Sequence, residues 1–141
     1  YDAVADEKRI HVSAHGDGQI FGDRLMFRRA VSNLLSNALR HTPDEGVVQI
    51  AIVASAMTTE ITVENTGQDI DPLVLPRLFD RFYRADSARR HPASDGAGLG
   101  LSITKAIVEA HGGAISVTSD QEWTRFRLVF PERRSKAEAT A

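Results

Sequence analysis

Asn33 and Asn37 lie four residues apart in the stretch Asn33-Leu34-Leu35-Ser36-Asn37-Ala38-Leu39-Arg40-His41. Four residues is close to one helical turn, so on a helix both carboxamides project from one face. Asparagine is a mediocre helix former, and two in register beside an apolar stripe ask for a reason. One reason is a solvated flank. The other is a site for a hard cation or a phosphate, because carboxamide oxygens suit Mg²⁺ when phosphate and water supply its remaining ligands. Arg40 and His41, one turn on, would sit at the edge of the same pocket.

Two other stretches carry possible chemistry. Asp95-Gly96-Ala97-Gly98-Leu99-Gly100-Leu101-Ser102 places glycines at alternate positions directly before a helical pattern. Such a segment lets backbone approach a ligand and offers helix N–H groups to an anion, although a flexible hinge reads the same way. It does not follow a strand, so it is not the dinucleotide fingerprint. In Val63-Glu64-Asn65-Thr66-Gly67-Gln68-Asp69-Ile70 a strand breaks into a loop. There Asn65 either meets a base edge with its amide or closes a turn with Gly67.

The elements that must position these residues follow from periodicity. Residues 8–14 alternate around Ile10, Val12 and Ala14 and predict a strand, with Gly16-Asp17-Gly18 turning into a second short strand over 19–21. Asp23 is placed to cap a helix over 24–41, whose apolar positions Leu25, Phe27, Ala30, Val31, Leu34, Leu35, Ala38 and Leu39 form one face. Thr42-Pro43-Asp44-Glu45-Gly46 ends it. Two β-rich runs, 47–57 and 60–64, come next, then a short helix from Asp71-Pro72 to Phe79. Residues 81–97 read as a mobile connection, and 99–111 as a helix stopped by Gly112-Gly113. Residues 114–119 and 124–130 are closing strands, and 132–141 a disordered tail to a domain of 1–131. The pattern predicts an α+β fold: a two-layer α/β sandwich with a mixed, mostly antiparallel sheet and about three helices on one face.

Composition narrows the function classes. The 141 residues carry 17 Lys and Arg against 19 Asp and Glu, a formal net charge of −2, which gives no basic surface for nucleic acid or an anionic membrane. The absence of cysteine excludes disulfide scaffolds, thiolate metal sites and cysteine nucleophiles. The purest apolar run, 50–54, is far short of the ~20 residues that span a bilayer. Neither membrane insertion of this chain nor a signal peptide is expected. A start at Tyr1 rather than Met suggests a piece of a longer protein.

Taken in order, the asparagine pair, the Asn65 loop, an aromatic-basic segment and the glycine segment resemble the ATP-binding catalytic domain of bacterial sensor histidine kinases. That domain belongs to the Bergerat-type group shared with gyrase B, Hsp90 and MutL. The resemblance spans about residues 8–130. Residues 33–42 look like the asparagine box and 65–70 like the first glycine box. Leu78-Phe79-Asp80-Arg81-Phe82-Tyr83-Arg84 looks like the phenylalanine box, and 96–101 like the second glycine box. The resemblance implies ATP and Mg²⁺ as ligands, with Asn37 the main metal ligand and Asn33 assisting. It implies that Arg40 contacts phosphate, His41 flanks the nucleotide and Asn65 receives the adenine amino group, with Gly67, Ile70 and Tyr83 in the nucleotide site. Arg84 would approach the terminal phosphate. Gly96, Gly98 and Gly100 would let a lid wrap the triphosphate, with backbone contacts at Leu99 and Leu101. The sequence departs from the pattern at the first glycine box, where Asn65 replaces an Asp and Asp69 a glycine. The Asn variant is similar to that of the metal-responsive branch, such as copper or silver sensors.

Chemistry separates the branches of this group. The hydrolytic relatives carry a Glu general base in the position of Asn33, and asparagine cannot take a proton. A histidine kinase needs no such base, because neutral imidazole is already nucleophilic near pH 7. None of His11, His15, His41, His91 or His111 has the surroundings of a family acceptor histidine. The resemblance therefore implies a catalytic domain that binds ATP, with the acceptor on a dimerisation domain upstream, a response regulator as next partner, and a cytoplasmic position in a parent anchored in the inner membrane. Rival expectations are a nucleotide-binding regulatory module without transfer activity and a serine kinase of the anti-sigma type.

Overall fold

A computed structural model describes residues 2–20, 22–80 and 100–131. In chain order its elements are helix α1 (Asp2–Lys8), strand β1 (His11–Gly16), helix α2 (Arg24–His41), strands β2 (Val47–Ala54) and β3 (Thr58–Thr66), a 3-10 turn at Leu75–Arg77, helix α3 (Gly100–Ala110), and strands β4 (Ala114–Asp120) and β5 (Trp123–Pro131). The strands form one sheet in the order β1-β2-β3-β5-β4. Only the β1–β2 pair is parallel, joined by the α2 crossover; the other three pairs are antiparallel. The predicted α+β sandwich is the observed architecture.

Period-two alternation decides which side of the sheet is covered. Ile61, Val63 and Asn65 of β3 and Thr124, Phe126, Leu128 and Phe130 of β5 are buried. The apolar ones share one core cluster with Leu34, Ala38 and Leu39 of α2 and Val108 of α3. Residues between them on the strands face outward and are joined by cross-strand ion pairs. Arg127 donates to both oxygens of Glu60, at 2.6 and 2.8 Å, and Arg125 pairs with Glu64. Those bonds hold the Glu60 carboxyl below the usual glutamate range, against a smaller opposing effect of burial.

Helix α2 begins where the capping residue requires. The Asp23 carboxylate accepts from the N–H groups of Leu25 and Met26, satisfying two donors of the first turn. At the far end the buried Thr42 returns both its N–H and its hydroxyl to the Ala38 carbonyl.

Four local expectations are corrected. Residues 2–8 form a helix, and β1 starts at His11 rather than at residue 8. Arg9, at φ 58°, stops the helix and turns the chain into the strand. The second strand of an N-terminal hairpin is not formed by residues 19 and 20; residue 21 lies outside the described residues. Gly16 has φ 90°, and a Cβ there would lie 2.0 Å from the Ile52 carbonyl oxygen. From it the chain crosses the sheet instead of doubling back: Gly18 faces the side chains of Ile52, Ala54 and Thr59, and the Thr59 hydroxyl donates to Gln19 O at 2.9 Å. The predicted helix over 71–79 shrinks to a 3-10 turn at Leu75–Arg77, since Pro76 lacks the N–H that would bond back to residue 72 in a longer helix. Finally, β2 stops at Ala54 and β3 runs from Thr58 to Thr66, longer than the predicted 60–64. The connection over 81–97 and the tail over 132–141 lie outside the described residues. Among those described, no helix is long and apolar enough to cross a membrane.

Candidate functional site

A cavity of ≈ 420 Å³ opens between the last two turns of α2, the end of β3 and the loop that follows it, and the start of α3. Asn37 and His41 line it from α2, Asn65, Gly67, Gln68, Asp69 and Ile70 from β3 and its loop, and Leu101 from α3. Thr124 and Phe126 contribute from β5 and Asp71, Val74 and Leu78 from the turn region. The volume falls in the range of small-molecule sites, about 300–1,000 Å³. Its lining is mixed, with carboxamides, the Thr124 hydroxyl and the carboxylates of Asp69 and Asp71 on some walls and Ile70, Val74, Leu78, Leu101 and Phe126 on others. Such a lining suits a flat, partly polar ring.

The site forms because β3 ends against α2. The inward register of β3 places Asn65 opposite Thr124 of β5. Asn65 is buried, and its Nδ2 donates to the Thr66 carbonyl at 3.0 Å. At Gly67 a Cβ would sit 3.1 Å from the His41 carbonyl oxygen, a tight approach, and the Gly67 N–H donates to Glu122 O at 2.9 Å. Asp69, standing where the expected pattern has a second glycine, accepts from the Glu122 N–H at 2.7 Å. The Ile70 N–H donates to Ser119 Oγ at 2.8 Å, and Ser119 Oγ lies 3.2 Å from Thr124 Oγ1. The loop is thus tied to the β4–β5 turn at several points.

The asparagine pair divides its work. Asn37 faces the cavity, and its Oδ1 accepts from Arg40 Nη2 at 3.1 Å. Asn33, one turn earlier, reaches across to α3: its Nδ2 donates to Gly100 O at 3.2 Å, a carbonyl that also accepts from the Thr104 hydroxyl at 3.0 Å.

A profile of the histidine kinase-, DNA gyrase B- and HSP90-like ATPases matches residues 22–134. The chain belongs to this ATPase family. It is 46% identical over 134 residues to the sensor histidine kinase CusS of Escherichia coli O157:H7, covering 94% of this chain and 28% of that protein. It is 36% identical over 140 residues to the sensor protein CzcS of Cupriavidus metallidurans, covering 99% of this chain and 29% of that protein. The chain therefore spans less than a third of the length of these curated relatives. Among solved structures, the mycobacterial sensor histidine kinase MprB superposes with a TM-score of 0.78 at 30% identity, over 92% of this chain and 89% of that one. The catalytic domain of histidine kinase ThkA gives the same TM-score at 23% identity, over 92% and 84% of the two chains, a likeness of fold.

Within this ATPase domain, the residues singled out by sequence separate into three groups. Asn37, His41, Asn65, Gly67, Ile70 and Leu101 surround one cavity. Asn33, Arg40 and Gly100 lie beside it, through the Asn33–Gly100 and Arg40–Asn37 bonds. Tyr83, Arg84, Gly96, Gly98 and Leu99 lie outside the described residues. Sequence reasoning missed Thr124, Ser119, Phe126 and Val74, and it missed Asp69 as an anchor of the loop. Thr124 had a legible signal: alternation along β5 puts this polar residue in register with Phe126 and Leu128, where an apolar side chain is expected.

Proposed function

We propose that this domain binds Mg-ATP in the cavity and supplies the γ-phosphoryl group to a histidine on the dimerisation domain of a longer sensor kinase. The observation that carries the reading is the convergence of Asn37, His41 and Asn65 on one cavity in a family ATPase whose residue 33 is an amide rather than an acid. Asn65 is oriented by the Thr66 carbonyl, so its oxygen is the atom left to accept from an adenine amino group. Ile70, Leu78, Leu101 and Phe126 offer apolar faces to the ring.

The donor set fits magnesium. Among the described residues no group of three or more His, Cys, Asp or Glu side chains could hold a metal ion alone. Neutral carboxamide oxygens suit an ion that takes most of its ligands from phosphate and water. Asn37, with Asn33 assisting, would hold Mg²⁺, which would neutralise charge on the phosphates. Arg40 sits where it can move from Asn37 to a phosphate oxygen.

In the transfer itself, a neutral imidazole nitrogen of the acceptor attacks the γ-phosphorus as the bond to the β–γ bridging oxygen breaks, and ADP leaves. No water needs activation, so Asn33 suffices where a hydrolase needs a base. What remains for the domain is positioning and charge stabilisation, to which Arg84 would contribute at the terminal phosphate. The parent is read as a member of the metal-responsive branch, anchored in the inner membrane, that passes phosphate to a response regulator. The test mixes this chain, γ-labelled ATP and Mg²⁺ with a separately supplied dimerisation domain from a close relative. Label on the acceptor histidine is expected. Binding of Mg-ATP without transfer would favour a regulatory nucleotide-binding module instead.

A further inference from the structure

The last turn of an α-helix leaves its carbonyls without helical partners, and together they form the negative end of the helix dipole. In α2 that end lies at the cavity, since Asn37 and His41 both line it. Thr42 takes the Ala38 carbonyl. The next two carbonyls are taken by a side chain from another helix. The Lys8 ammonium donates to Leu39 O at 3.0 Å and to Arg40 O at 3.2 Å.

Lys8 is itself held in place. It is the last residue of α1, its carbonyl accepts from the Glu45 N–H at 2.8 Å, and Ala5 and Ile10 on either side are buried in the core. Arg9, the next cation, behaves differently. It pairs with Glu45 at 3.3 Å on the surface, both side chains being 69% exposed, and this ion pair does not involve the α2 carbonyls.

We propose that Lys8 is a positioning residue for the nucleotide. It fixes the last-turn peptide units that carry Arg40, the cation on the phosphate side, and it offsets the negative helix end that a triphosphate would otherwise meet. The inference rests on the Mg-ATP reading above. A ligand with several negative charges gains most from this offset, and one without phosphates gains nothing.

The test is calorimetric titration of Mg-ATP into the 141-residue chain and its variants, at a temperature where circular dichroism shows each fully folded. Lys8→Met keeps the aliphatic stem and removes charge and donors. Its Kd for Mg-ATP is expected to rise about two- to fivefold, the range a cation at a helix C-terminus supplies. Lys8→Arg is expected to restore the wild-type value, and Arg9→Met to leave it unchanged. Adenosine should bind wild type and Lys8→Met alike. Equal Mg-ATP affinity in the two, with only the melting temperature lowered, would overturn the proposal; so would an equal loss for adenosine. Should Lys8→Met fail to fold, Lys8→Gln keeps a donor without the charge and carries the same expectation and the same refuting result. A wild-type chain that binds no Mg-ATP would instead sink the functional reading on which the inference stands.

Discussion

Replacing Asn37 by alanine separates a binding role from a structural one. The carboxamide sits half-buried on the cavity wall, and among the described residues its one hydrogen bond is from the Arg40 guanidinium at 3.1 Å, on an exposed side chain. Solvent screening on the exposed guanidinium reduces the loss of this charged bond to about 0.5–1 kcal/mol. Alanine recovers about 0.5 kcal/mol of helix propensity. The two nearly cancel, so the melting temperature of Asn37→Ala should stay within about 2 °C of wild type for a domain of this size. Binding should respond far more. An oxygen that meets a cation contributes about 1.5–3 kcal/mol, and about 1.4 kcal/mol is tenfold in Kd. Calorimetry in Mg²⁺ should therefore show ATP affinity lowered at least about tenfold, while titrations in EDTA should show little difference between variant and wild type. Two results would refute the reasoning: undiminished affinity in Mg²⁺, or a loss of the same size in EDTA.

Two other substitutions test the scaffold. Asp69→Ala removes the acceptor of the Glu122 N–H, so stability should fall by about 1 kcal/mol, and hydrogen exchange at the Glu122 amide should speed up; unchanged exchange would show that the loop does not depend on this tie. Arg127 holds the folded-state pKa of Glu60 down, so its contribution is present above the unfolded pKa and lost as pH falls through the depressed folded value. Urea melts from about pH 6 to pH 3 should show a shallower acid decline for Glu60→Gln than for wild type, and identical slopes would remove this pair from the acid response.

Much of the fold was legible because its signals are local. The cap at Asp23 and the bounds of α2 were read to the residue. Of its apolar stripe, however, only Ala30, Leu34, Ala38 and Leu39 are buried and Leu25 is 68% exposed, since the first turn of the helix reaches past the sheet. The alternation of β4 and β5 gave those strands to within a residue or two. The N-terminus was not legible. Ile10, Val12 and Ala14 alternate as a strand requires, but a seven-residue helix such as α1 has too few residues to show a period, and burial of Ala5 and the Lys8 contacts hold it. The path after Gly16 was also hidden, because β1 finds its partner in β2 through a crossover, a pairing no short-range pattern encodes.

The sequence alone determined which residue types were available at the site: amides at 33, 37 and 65, a glycine at 67, and no acid in the place of a base. Side-chain type is a property of the chain, and so is the helical spacing that puts Asn33 and Asn37 on one face. Tertiary structure decided how those side chains are used. Of two amides on one face, only Asn37 lines the cavity, while Asn33 is drawn to the Gly100 carbonyl by the approach of α3. Asp69, a departure on paper, is a tie to the β4–β5 turn, and Lys8 caps a helix 31 residues away from it in the chain. Each of these uses depends on a partner distant in sequence, whose position is fixed only when the sheet and helices pack.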